Sequence, residues 1–158
     1  MAESALPFWK VKSFGEMTRN EWESLCDGCA RCCLEKLKDN KTGKVYYTDL
    51  ACRYLDLETC RCTIYSFRTR LAPDCEYLVP RKVQKYRWLP KSCAYRLLAE
   101  GKDLAWWHHL VSGDENMVHT EGISIRGKAV SALGVPESEF ERHIVAGGIW
   151  AKSARVDI

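Results

Sequence analysis

Nine cysteines in 158 residues, all between positions 26 and 93, are the side chains of this sequence best suited to chemistry. Four stand in one octapeptide, CDGCARCC, as Cys26, Cys29, Cys32 and Cys33; Cys52, Cys60, Cys62, Cys75 and Cys93 follow. Clustered thiols can be cross-linked, exchange redox equivalents or hold a metal. Packing alone gives no reason to space them at i, i+3, i+6 and i+7 around Asp27, Gly28 and Arg31.

The N-terminus MAESALPFWKVKSFGEM has neither a basic n-region nor an apolar h-region, and no stretch approaches the roughly 20 apolar residues of a membrane span. A cytoplasmic protein with no membrane partner is expected. In that compartment glutathione and thioredoxin keep structural thiols reduced, and the odd count also argues against a disulfide framework.

Metal ligation fits better, because C-x-x-C converges two thiolates while fixing few backbone torsions. Cys26, Cys29 and Cys32 have the spacing of three ligands to a four-iron, four-sulfur cluster whose fourth comes from elsewhere; Cys60, Cys62, Cys75 and Cys93 are candidates. Alternatively, tetrathiolate zinc sites each join a local pair such as Cys26/Cys29 to a remote pair. The cofactor expected is therefore an iron–sulfur cluster or zinc. The candidate ligands are Cys26, Cys29, Cys32, Cys33, Cys60, Cys62, Cys75 and Cys93, enough for two four-coordinate metals or a bridged pair. Adjacent side chains do not easily bend toward one ion, so Cys33 is expected to point away from Cys32, toward a second site or as a free thiol. Cys52, in the apolar run DLACRYL, is expected to be plainly buried.

Charge adds an independent signal. From Cys60 to Ala99 nine Lys or Arg face only Asp74 and Glu76, a balance of +7, while the rest of the chain sums to −4. A tetrathiolate centre carries about −2, and Arg53, Arg61, Arg68 and Arg70 are expected to offset it. Tyr65, Phe67, Tyr77, Tyr86, Trp88 and Tyr95 interleave with these cations, a composition that can bind phosphates and stack bases. A pI near 8.3 does not compel this, and such aromatics are more often core, so a nucleic-acid partner is not favoured. With nine thiols available, His108, His109, His119 and His143 are not needed as ligands. The sequence contains no nucleophile elbow, phosphate loop or dinucleotide fingerprint.

The thiols need elements to position them. Thr18 followed by Glu21 is a capping-box pattern that starts a helix from Arg19 to about Leu25, with Trp22 and Leu25 inward. LEKLKDNKTGK reads as an exposed loop with a turn at Asn40 to Gly43, and VYYTDLACRYLD pairs with Thr63 to Tyr65 as a small antiparallel element. Pro73, Pro80 and Pro90 break the next stretch into turns. Ser92 then caps a helix CAYRLLAEG, with Cys93 in its first turn and Gly101 at its end. The cysteine-free remainder offers a strand GISIRGKAV and a helix VPESEFERHIV, bracing the cysteine-rich half. The expected architecture is a small α+β single domain, 1–158, with a cysteine-cluster part (18–100) and an extension (101–158).

CDGCARCC, ACRYLDLETCRCTIY, APDC and WLPKSCAYRLLAEGKDL together resemble the YcgN-type members (UPF0260) of the YkgJ-like cysteine-cluster proteins, described as zinc- or iron-chelating. The likeness spans roughly residues 7 to 130. It implies a metal site at the CxxCxxCC thiols Cys26, Cys29, Cys32 and Cys33, with Cys60, Cys62, Cys75 and Cys93 downstream. A distant relative with the same cluster, the flagellin lysine methylase, is an iron–sulfur enzyme, so the resemblance favours iron–sulfur over zinc. Its methyl transfer does not carry over to a chain this short. Beyond the metal ion, the open alternatives are a zinc module organising a surface for a protein partner or nucleic acid, and metal storage or delivery.

Overall fold

A capping box fixes the approach to the thiol run. The Thr18 hydroxyl accepts the Glu21 amide at 3.1 Å while the Glu21 carboxylate accepts the Thr18 amide at 2.9 Å, satisfying two donors that a helix start otherwise leaves free. In the computed structural model, which describes residues 5–72, 75 and 78–145, a short helix α1 (Phe8–Val11) precedes this box and α2 (Arg19–Ser24) follows it. Trp22 and Leu25 are buried as the periodicity requires, and the Tyr95 hydroxyl donates to the Trp22 carbonyl at 2.8 Å. The chain then turns through Gly28 (φ +78°), a conformation costly to other residues, and through Ala30 (φ +61°), which pays that cost.

A 3₁₀ turn, Arg31–Cys33, leads into β1 (Leu34–Lys38). Here the structure corrects the loop expected for LEKLK: it is a strand, paired antiparallel to β2 (Val45–Ala51), with Leu34 opposite Ala51 and Lys36 opposite Tyr47. The lysines Lys36 and Lys38, residues that strands disfavour, hid it from a composition-based reading. The turn between them falls where Asn40 to Gly43 indicated. A two-residue hairpin, β3 (Leu55–Asp56) with β4 (Arg61–Cys62), replaces the pairing expected at Thr63 to Tyr65. Helices α3 (Arg68–Leu71) and α4 (Ala94–Ala99) follow, the latter flanked by Gly101 at φ +75°.

Beyond it lie α5 (His109–Ser112), α6 (Met117–Thr120) and β5 (Val130–Ser131). Only the end of GISIRGKAV is a strand: β5 runs parallel to β2, giving a three-stranded sheet in the order β1-β2-β5. VPESEFERHIV forms 3₁₀ turns over Glu137–His143 rather than an α-helix, and Ile144 bridges to Thr48. The extension is thus woven into the cysteine-rich part. The Ile125 amide donates to the Cys29 carbonyl at 3.0 Å, and the Val145 amide to Tyr47 at 3.1 Å. The fold is α+β, with short helices and small sheets. Expectations involving Pro73, Asp74, Glu76, Tyr77 and residues 146–158 fall outside the described residues.

Three apolar clusters meet at the thiol run. Trp22, Leu25, Leu89 and Tyr95 form one, with Cys32 and Cys93 at its edge; Leu34, Ala51, Leu55 and Ile125 form a second, with Cys33 against it; Cys29 packs with Trp107, Val118 and Ile123 in the third. Burial of these side chains contributes about 1.5–3 kcal/mol each.

Candidate metal centre

The octapeptide is held by contacts from three directions. Asp27 forms an Asx turn, its Oδ1 accepting the Cys29 amide at 2.9 Å. Arg31 is wholly buried: its Nε donates to the Ile123 carbonyl at 2.7 Å and its Nη1 to the Ser92 hydroxyl at 3.0 Å. Lys36 donates from Nζ to the carbonyls of Cys32 and Leu34, both at 2.7 Å, with its ammonium 4.9 Å from the Trp88 ring centre. Tyr47 reaches across to donate to the Trp88 carbonyl.

The thiols perturb one another through Cys32. Its pKa is lowered to about 7, chiefly by a hydrogen bond with Cys33 and also by Lys36. Cys33 is driven well above its ordinary value by that same bond and by burial. Cys33 is thus coupled to Cys32 within the 3₁₀ turn, and the expectation that it stands as an independent free thiol does not hold electrostatically. Burial, then Asp27 and Cys32, raises Cys29 well above normal. Cys26 keeps an exposed edge, yet the protein around its thiol raises its pKa to about 12, helped by Asp27 and Cys32 and opposed by Arg61. Cys93 is raised by burial, then by Cys32 and Asp27.

Cys93 sits at the N-cap of α4, with Ala94 the first helical residue, and no side chain caps the helix. This corrects the cap assigned to Ser92, whose hydroxyl accepts from Arg31. At Cys93 desolvation outweighs the dipole of so short a helix and keeps the thiol raised.

A further group lies beside these five. Cys75 is raised by burial and feels Cys52, Cys32 and Cys62, with Arg68 opposing. Cys52, expected to be a buried spare, is half-buried, and its amide donates to the Cys33 carbonyl at 2.8 Å. Cys60 is buried at φ +58°, in hydrogen-bonding contact with Ser124 and Arg126. Among the described residues no three His, Cys, Asp or Glu side chains stand in a metal-holding arrangement. The thiols are within electrostatic reach of one another without converging on a point.

The donor set nonetheless suits a soft cation. Three buried or half-buried thiols, Cys29, Cys33 and Cys93, are held protonated by desolvation or by a neighbouring sulfur, a penalty that a bound cation reverses. The Oδ2 of Asp27 is buried without a hydrogen-bond partner among the described residues. Positive charge comes from Arg31 and Lys36, which the sequence reading missed, as well as from Arg61 and Arg68, which it named. Arg31 and Lys36 sat within or just after the cysteine run, where the charge excess of 60–99 drew attention away from them.

His108 is buried, its Nδ1 accepting the Leu110 amide and its Nε2 donating to the Leu25 carbonyl at 2.8 Å; His143 meets Asp49 at 2.8 Å. Of the interleaved aromatics, Tyr86 and Tyr95 are core and Tyr65 and Phe67 are exposed. Among the described residues no helix is long and apolar enough to cross a membrane.

Comparison with known proteins agrees with this picture. Residues 25–94 match the CxxCxxCC family model, described as a "Putative zinc- or iron-chelating domain". The chain is 52% identical to a UPF0260 protein of Ectopseudomonas mendocina over 145 residues, covering 92% of this chain and 97% of that one. It is 62% identical over 125 residues to one from Gluconacetobacter diazotrophicus, covering 79% and 78%. A third, from Marinobacter nauticus, is 54% identical over 140 residues, covering 89% and 95%. No solved structure matches.

Proposed function

The chain belongs to the UPF0260 family and carries its zinc- or iron-chelating CxxCxxCC domain, and from that premise we propose that it is an iron–sulfur protein of the four-iron, four-sulfur type. The reading draws its ligands from Cys26, Cys29, Cys32, Cys33 and Cys93, with Cys52, Cys62 and Cys75 as an outer set able to complete a second site. Cys60, among the eight thiols expected from spacing, enters only if it leaves Ser124. The observation that carries the proposal is that Cys93, remote in sequence, packs against the same apolar cluster as Cys32 and feels that thiol, as Cys26, Cys29 and Cys33 also do. Three cysteines at C-x-x-C-x-x-C spacing plus one remote cysteine is the ligand pattern of such clusters. A bound cluster would supply one-electron chemistry at a potential tuned by Arg31 and Lys36.

Purification without oxygen tests this. A brown protein with iron and acid-labile sulfide is expected; a colourless protein with stoichiometric zinc refutes it.

One observation favours a second reading, a zinc-organised surface for a protein partner. Tyr65, Phe67 and Leu71 are each about half exposed around the outer thiols, and Arg68 stacks 3.8 Å over the Tyr65 ring. Replacing Arg68, Arg70, Arg81 and Lys82 together should abolish partner capture on that reading, and unchanged capture removes it. Both readings treat 1–158 as a single domain in the cytoplasm. The hydrogen bonds from Ile125 to Cys29 and from Arg31 to Ile123 support a common fold for the cysteine-rich part and the extension.

A further inference from the structure

A cavity of about 560 Å³ opens beside Cys26, between the octapeptide, the β3–β4 turn and α6. Its charged walls are unequal in how far their charge is already answered. On the acidic side, Glu23 accepts the Tyr65 hydroxyl, Glu115 faces His109, and Asp27 accepts the Cys29 amide through Oδ1 with Arg31 as its buried counter-charge, its Oδ2 having no hydrogen-bond partner among the described residues. On the opposite side stand Arg61 and Arg126, and neither is in an ion pair among the described residues. Arg126 is anchored by neutral groups, its Nε donating to the Glu58 carbonyl and its guanidinium meeting the Cys60 thiol. Arg61 lies over Gly28, its Cζ 4.0 Å from where a Cβ would stand. The two cations are close enough to act together on His119, whose Nδ1 is engaged by the Ser124 hydroxyl at 2.8 Å.

Two guanidinium groups directed at one cavity without carboxylate partners are the donor geometry that oxyanions select, through short charge-assisted bonds. We propose that this cavity binds a small molecule bearing a carboxylate or phosphate group, held by Arg61 and Arg126 against the Cys26 edge of the thiol cluster. Arg61 and Arg126 lie outside the proposed ligand set, although Cys26, one of its members, lines the cavity, so anion binding does not require any one metal.

The test is calorimetric titration of the protein as purified with inorganic phosphate and, separately, with succinate, at low and at physiological salt, with metal content measured on the same sample. Saturable binding that weakens with salt is expected for at least one probe, and the better probe identifies the anion class. Arg126→Gln should weaken it about ten- to a hundredfold with metal content unchanged, and Arg126→Lys should restore part of it. Dissociation constants weaker than about 1 mM for both probes, or an Arg126→Gln variant that binds like the parent, overturn the proposal. A sample without metal that still binds anion contradicts the metal assignment alone.

Discussion

Arg31→Met is the substitution that most sharply separates a built centre from an incidental crowd of cysteines. The guanidinium is 0% exposed, makes bonds of 2.7 Å to the Ile123 carbonyl and 3.0 Å to the Ser92 hydroxyl, and lies beside Asp27 and Cys29. Methionine fills much of the volume but leaves both acceptors unpaired and Asp27 without its buried counter-charge. Breaking a buried charged pair costs about 3–5 kcal/mol, and two charge-assisted bonds at about 1.5–3 kcal/mol each give the same range. For a domain of this size that is a fall in Tm of about 10 °C. The assay is thermal unfolding of the metal-loaded protein followed by circular dichroism, with bound metal determined before heating. Arg31→Lys keeps the charge but loses the fork, so it should fall between parent and Met. A Met variant that melts within about 2 °C of the parent and retains its metal would refute the role assigned to this buried cation.

Thr18→Ala removes one half of the capping box and should cost about 1 kcal/mol by urea unfolding, without changing metal content. Leu25→Ala, at a fully buried position between α2 and the thiol run, should cost about 2–5 kcal/mol and lower metal retention with it. Chelation of the metal should lower Tm by about 10 °C, since a ligand present at a thousand times its Kd contributes about 4 kcal/mol; unchanged melting would separate metal from folding. Acid should destabilise the fold in a defined window. Glu21 is held below its usual range first by Lys12 and then by the Thr18 amide, Asp39 by the Lys41 amide, and Asp56 by the amides of Thr59 and Glu58. Folded pKa values below the unfolded ones mean that this stability is fully present above about pH 5 and is lost as pH falls through about 4 and below. A urea midpoint that stays flat down to pH 3 would contradict that sign.

The α+β class was legible in the sequence; several of the individual elements around the thiols were not. The capping box at Thr18 and the turn at Asn40 to Gly43 are local patterns, and both are present where they were read. LEKLK was missed as a strand because its pairing is decided by Tyr46 and Tyr47 across the sheet and not by its own propensity. Ser92 was misassigned as a cap because nothing local announces that Arg31, 61 residues earlier, takes its hydroxyl. The thiol spacing pointed to Cys32 as part of one group, yet it could not say that Cys75 feels Cys52 and Cys62 while Cys60 is engaged with Ser124. That distinction depends on the hairpin register, in which Leu55 opposes Cys62 and Cys60 sits in the turn at positive φ.

The central claim, that the thiols gathered around Cys32 hold a metal, is tested most directly by elemental analysis with a visible absorption spectrum on protein prepared without oxygen, comparing the parent with Cys32→Ser. The account predicts bound iron with acid-labile sulfide in the parent and loss of most of that metal in the variant. A metal-free parent, or a Cys32→Ser protein that keeps its full metal content and spectrum, would contradict it.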